Sequence, residues 1–316
     1  MKRKGDYTDI QTGTASQMRR APLWKRVWNE KVLYLILLPT MLYFIFFKVL
    51  PIINMRLAFY SFNARGPWRF SGLHYFEMIF SSPAFFNILK NTLIISFMKY
   101  ILLFPFFLIF AIMLTQVRSW GFRKYVQVIS YLPHFLSWVV IAGIWIDALS
   151  IQGGVNELLG LFGIEAHDFM TDRSVIRWIL MICEGWRSIG WDSIIYYTAI
   201  ISISPSLFEA ADMDGANTFQ KIWHVVLPAL ITPAVTMFIL NLGFFLSAGF
   251  DQVLNFSNTA VESTIDILDT YIYRIGIQGG QYSLATAVSL IKGVVGMILV
   301  LATHLVSKRL TGEGVW

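Results

Sequence analysis

An all-α protein that crosses a membrane several times is the fold class this sequence predicts, and three observations carry it. Of its 316 residues 56% are hydrophobic and only 14% are charged, too apolar a balance for one soluble domain. Six largely apolar runs recur along the chain, each about the 20 residues a helix needs to cross a bilayer. Most lysines and arginines flank those runs, so the net charge of +6 reads as membrane orientation rather than as a nucleic-acid patch.

Residues 1–31 are polar and basic, and the apolar run that follows is too long for a cleavable signal and lacks a small-residue exit. Leu23-Trp24-Lys-Arg-Val27-Trp28 alternates aromatic and basic groups, as interfacial anchors do; a nucleic-acid arm is the alternative for that stretch. The spans are expected at Val32–Ile52, Ile88–Thr115, Tyr125–Leu149, Ser174–Ile203, Ala229–Ala248 and Leu284–Val306. Asn91, Lys99 and Pro105 interrupt the second and Lys292 the sixth. The fourth carries Glu184, Arg187 and Asp192, which a single helix tolerates only if those charges face protein or water.

With six spans, one side holds 14 lysines and arginines and the other 5, which places both termini in the cytoplasm. The chain then divides into a cytoplasmic basic segment 1–31, a membrane domain 32–306 containing a cytoplasmic loop 205–228, and a cytoplasmic tail 307–316. Outside, Asn156 to Gly163 reads as a short interfacial helix. Ile265, Leu268, Ile272 and Ile275 at helical spacing read as one amphipathic helix. Cys183, the one cysteine, lies inside a span and reads as a small buried hydrophobe.

The loop 205–228 is acidic and helix-forming, unlike an ordinary connection. Ser206 is placed to cap a helix with Glu209 returning the bond. Asp214-Gly215 supplies a bend, because glycine adopts positive φ without a side-chain clash. A second helix from Phe219 to Val226 is expected to stop before Pro228.

This loop resembles the EAA loop of binding-protein-dependent ABC importer permeases. Glu209, Ala210, Ala211, Gly215, Leu227 and Pro228 all fall at the family spacing, Asp214-Gly215-Ala216 matches its DGA, and Val225 stands where isoleucine is commoner. Ser61-Phe62, Phe70-Ser-Gly-Leu73 and Asn91-Thr-Leu93 resemble the sugar-permease pattern. Trp186 to Tyr196 and Asp269 to Arg274 look like the subgroup handling oligosaccharides and polysaccharide fragments. The likeness covers roughly residues 30–310.

The resemblance implies a type I ABC importer permease fold in the bacterial plasma (inner) membrane. It implies a second permease subunit, identical or homologous, two ABC ATPase subunits and an extracytoplasmic solute-binding protein. ATP and magnesium would sit on the partner subunits, with no cofactor or metal on this chain. Glu209 would make a charged contact with an ATPase, Ala210 and Ala211 would permit close approach, and Gly215 would make the bend.

The residues agree with a transport role and not an enzymatic one. There is no G-x-x-x-x-G-K-[ST] to hold ATP, no H-E-x-x-H, and no G-x-S-x-G elbow. His134, His224 and His304 are scattered. On the fourth span Trp186, Gly190, Ser193 and Tyr197 share one helical face; Glu184, Arg187 and Trp191 share another, with Glu184 and Arg187 spaced for an ion pair. Together with Asp192 these faces suit a sugar pathway, or the packing of one helix on its neighbours. On the fifth span Thr232, Thr236, Gly243 and Ser247 form a small-polar stripe that pathway and helix packing explain equally well. An ion-coupled secondary transporter using Glu184 and Asp192, or a non-transporting membrane scaffold, are the alternatives to an importer of oligosaccharides.

Overall fold

The computed structural model describes residues 31–242 and 245–311. The basic segment before Lys31, Gly243 and the tail beyond Thr311 lie outside the described residues. The chain divides after Asn54 into two units.

The first unit is helix α1 (Lys31–Phe44), which runs through a wide π turn at Ile45–Val49 into Leu50–Asn54. Every described residue of it is exposed, although nearly all are apolar. A helix apolar all round has no stable place in water, which is the signature of a membrane span.

The second unit opens on a short hairpin, β1 (Tyr60–Ser61) and β2 (Arg69–Phe70), paired Tyr60 to Phe70 and Ser61 to Arg69. The Ser283 hydroxyl donates to Tyr60 O at 2.7 Å and accepts from Phe62 N at 3.0 Å, pinning the hairpin to the start of the last helix. Helix α2 (His74–Phe80) follows. Next come α3 (Pro83–Phe97) and α4 (Phe104–Gln116), joined by a π turn at Met98–Leu102 into one apolar span of 34 residues. After α5 (Trp120–Tyr131) and α6 (Trp138–Ala148) come α7 (Gly154–Leu161) and the 26-residue α8 (Ile176–Ile201). The loop helices α9 (Pro205–Met213) and α10 (Thr218–Lys221) lead into α11 (Leu227–Leu242). Three short helices, α12 (Phe250–Phe256), α13 (Glu262–Ile265) and α14 (Leu268–Ile272), precede α15 (Tyr282–Thr311).

Four helices are long and apolar enough to cross a membrane, and six if each of two bent pairs counts as one. The expected third span is one of those pairs. It breaks at 136–137 with a bend of 104° between α5 and α6. Pro133 lacks the N–H a continuing helix needs, and the Ser137 hydroxyl restarts the chain by accepting from Val140 N at 3.4 Å. The α8–α9 pair, bent by 66°, is the other.

Pro228 does not end a helix. A π turn at Ile222–Val226 carries α10 into α11, so the fifth span starts at Thr218 and its described helix stops at Leu242, earlier than Ala248. The same device precedes Pro51 and Pro105, each reached within three residues of a π turn. A turn that widens to i→i+5 accommodates a residue without an N–H to donate. The expected amphipathic outer helix is likewise two pieces. Ile265 and Leu268 are buried as the pattern requires, but the chain extends at Asp266–Ile267, where Thr270 Oγ1 accepts from Ile267 N at 2.9 Å.

Three buried clusters hold the second unit together. Ile141, Ile176, Leu180, Cys183, Val253 and Ile265 join α6, α8 and the short helices, and Cys183 is fully buried as its position in the sequence suggested. Ala58, Phe85, Ile88, Leu268 and Val288 join the hairpin side to α3 and α15. Ala111, Tyr196, Ile200, Val226 and Leu230 join α4, α8 and α11 near the loop.

Candidate coupling loop and intramembrane cavity

Local turn chemistry builds the loop. Pro205 occupies the first turn of α9, and Ser204, not Ser206, is the capping position; its hydroxyl meets that of Ser206 at 2.7 Å and caps no backbone N–H. The expected Ser206–Glu209 box is therefore absent, because proline at the first helical position moves the start two residues earlier. At the other end Ala216 N donates to Ala211 O at 2.9 Å and Gly215 N to Asp212 O at 3.0 Å. With Gly215 at φ +74° this is a Schellman ending. Nothing lies within 4 Å of where a Gly215 side chain would begin, so conformation alone requires glycine there.

A true capping box opens α10: Asn217 Oδ1 accepts from Gln220 N at 2.9 Å, and Gln220 Oε1 accepts from Asn217 N at 2.8 Å. Lys221 pairs with Asp212 and ties the two arms into one rigid elbow. Between the arms lies a surface groove of about 420 Å³ lined by Ala210, Ala211, Asp214, Gly215, Ala216 and His224. Glu209 is exposed and, among the described residues, has no partner. Leu207, Met213 and Phe219 add exposed apolar surface, with Met213 88% exposed. Leu227 is half-buried and Pro228 exposed at the root of α11.

The fourth-span residues separate. Glu184 and Asp192 line a cavity of about 170 Å³ with Lys99, Tyr100, Phe104 and Tyr196; Met237 and Asn241 of α11 close it. Glu184 does not pair with Arg187. Its carboxylate meets Lys99 Nζ at 3.4 Å and accepts from the Ser188 hydroxyl at 3.0 Å. Arg187 instead lies 4.7 Å over the Trp138 ring and donates to His134 O at 3.3 Å. Trp191 stacks on His134 at 4.4 Å between ring centres.

The face of Trp186, Gly190, Ser193 and Tyr197 is largely a packing face. A side chain at Gly190 would collide with Ser130 O of α5, Ser193 is buried with its hydroxyl donating to Gly190 O, and Tyr197 packs in the cluster beside the loop. Trp186 remains partly exposed against Trp145. Thr236 is exposed and returns its hydroxyl to Thr232 O at 2.9 Å, the bond an isolated helix would make. Of the cavity residues, sequence spacing collected Glu184 and Asp192 but not Lys99, Tyr100, Phe104, Tyr196, Met237 or Asn241. Lys99 alone carried a signal, a lysine inside an apolar run. Among the described residues no group of three or more His, Cys, Asp or Glu side chains is placed to hold a metal ion. The cavity lining combines aromatic, amide and carboxylate groups with one lysine.

A bundle of apolar spans with a rigid acidic elbow at one end is the form of a transporter's membrane subunit. The chain belongs to the binding-protein-dependent transport system inner membrane component family, whose model matches residues 38–312. It has the type I ABC importer permease fold and is a multi-pass inner-membrane protein. It is 36% identical over 304 residues to the polygalacturonan/rhamnogalacturonan transport system permease protein YteP of Bacillus subtilis (strain 168), with 94% of each chain covered. It is also 36% identical over 292 residues to protein LplB of the same organism, covering 91% of this chain and 92% of that one. Among solved structures, a bacterial alginate ABC transporter in complex with an alginate pentasaccharide-bound periplasmic protein contains a chain that superposes with a TM-score of 0.86. That chain is 36% identical, and the match covers 92% of this chain and 99% of the other.

Proposed function

We propose that this chain is one permease subunit of an ATP-driven importer that receives an oligosaccharide or polysaccharide fragment from an extracytoplasmic binding protein and releases it inside by alternating access. Six spans with both termini in the cytoplasm bring the loop 205–228 to the inner face. A second permease completes the pathway, and two ATPase subunits carry ATP and magnesium. The relative named for polygalacturonan/rhamnogalacturonan transport and the solved transporter involved in import of the acidic polysaccharide alginate support a saccharide cargo. They put acidic fragments first in a panel to be tested.

The observation that carries the reading is the loop. Glu209 stands free on the loop whose groove is lined by Leu207, Ala210, Ala211, Gly215, Ala216 and Lys221, with Met213 and Phe219 also exposed. Such a surface meets a partner that brings a basic group and an apolar cleft. The ion pair of Glu184 with Lys99 counts against an ion-coupled secondary transporter, since that carboxylate already has its cation.

Glu209→Ala and Gly215→Val test the reading. Loss of one partner of a desolvated charge pair costs on the order of 2–5 kcal/mol. A left-handed conformation costs a branched residue roughly 1–2 kcal/mol. Both variants are expected to insert normally, retain less ATPase on the purified permease, and lose hydrolysis stimulated by the loaded binding protein. Normal retention and stimulation in both would remove the loop from coupling.

A further inference from the structure

Residues 245–249, just before α12 starts at Phe250, are not helical, and Gly249 turns the chain there at φ +91°. Backbone that leaves the helix inside an apolar bundle loses its intrahelical partners, and such a segment persists only where protein groups replace them. Two lysines reach this segment, Lys99 at a backbone carbonyl and Lys292 at a side-chain hydroxyl. Lys99, on the π turn of the α3–α4 span, donates to Ala248 O at 2.8 Å and meets Glu184 of α8 at 3.4 Å. Lys292, in the middle of α15, donates to the Ser247 hydroxyl at 3.1 Å and meets Asp269 of α14 at 2.6 Å. Consecutive residues of one elbow are thus held by cations from the second and sixth spans, and each cation is neutralised by a carboxylate on a further helix.

The fit at Lys99 is close. A side chain at Gly249 would meet its ammonium group, and the left-handed conformation there itself favours glycine. On one side of the elbow α12 belongs to the cluster of α6 and α8, with Gln252 donating to Leu180 O at 2.8 Å. On the other side α11 packs in the cluster next to the loop. The elbow is the joint between those two packed bodies.

We infer that Lys99 and Lys292 are positioning residues that clamp the Ser247–Gly249 elbow and so set the angle at which α11, and the loop it carries, joins the outer half of the molecule. An intramembrane lysine is costly unless paired, and both are paired in the arrangement that also holds the elbow. Release of the clamp separates each lysine from the elbow together with its carboxylate, which favours two discrete positions over a continuous drift. The clamp is a property of this chain alone and does not depend on the nature of the solute or on coupling to an ATPase.

The test is thiol labelling of the full chain in membranes, in a Cys183→Ala background. The reporter is Leu246→Cys, whose side chain is buried in the elbow; Val253→Cys and Ala111→Cys, fully buried in the two flanking clusters, are the controls. Lys99→Met and Lys292→Met are each expected to raise the rate of N-ethylmaleimide labelling at Leu246→Cys several-fold and to leave both controls unchanged. Lys292→Arg should restore protection. Lys292 is the more accessible of the two and reads the clamp alone if loss of Lys99 prevents insertion. Unchanged labelling at Leu246→Cys overturns the inference. So does a rise at all three reporters together, which would make the lysines general struts, or a rise with only one lysine removed when both variants insert.

Discussion

At Gly190 a hydrogen is all that fits between α8 and α5, because the Ser130 carbonyl and the Tyr131 ring stand where a Cβ would go. At Gly215 the space is open and the backbone is the constraint. The two glycines should therefore answer differently to substitution. Gly190→Ala forces helix separation and is expected to destabilise the chain by about 1–3 kcal/mol, the usual range for overpacking. Gly215→Asn keeps a side chain that tolerates the left-handed region and should leave stability nearly unchanged. Thermal unfolding of the purified chain in detergent compares them, and equal losses at the two sites would contradict the distinction. The same scale separates Glu184 from Arg187. Helical spacing offered them to each other, but Lys99 arrives from another span and takes the carboxylate, while the Trp138 face and the His134 carbonyl hold the guanidinium.

Among the elements, the loop shows local chemistry acting most directly. Asn217→Ala removes one half of the capping box and should cost about 1 kcal/mol at the start of α10. The expected outcome is faster proteolytic nicking between Asp214 and Lys221 in inside-out vesicles, with the spans uncut. An unchanged rate would mean that the Lys221–Asp212 pair alone holds the elbow. That local character is why Gly215 and its bend were readable in the sequence: both depend on residues within a few positions. The apolar runs were readable for a similar reason, since length and hydropathy define a span without reference to neighbours. The break at Leu136–Ser137 left a signal in Pro133 and Ser137, but the continuous apolar pattern around it outweighed that signal. Pro228 misled because the π turn that accommodates it has no marker of its own in the residues. The cavity was the least legible part. Lys99, Glu184 and Asn241 come from three different spans, and their meeting is fixed by packing that no spacing encodes.

For the whole molecule the two bent pairs decide the topology, and each makes a distinct prediction. If the α5–α6 pair crosses the membrane, residue 162 lies outside; if it turns back, residue 162 lies inside with the loop 117–119. If α8 crosses, residues 162 and 213 lie on opposite sides. Phe162 and Met213 are 81% and 88% exposed, so a cysteine at either is open to reagent, whereas native Cys183 is fully buried and silent. The excess of lysine and arginine on one face sets the expected direction. On sealed cells an impermeant maleimide should label Phe162→Cys, and Met213→Cys should react only after the membrane is opened. Reversed labelling would show that α5 and α6 form a re-entrant pair, with α8 still crossing. Labelling of both from one side would show that α8 does not cross. Bent backbone at 136–137 can sit at membrane depth only if it is covered by protein, and Leu136 and Trp138 do pack against the cluster of α6 and α8. The break is therefore compatible with a crossing pair, and labelling of Phe162→Cys from outside is the result that agrees with that packing.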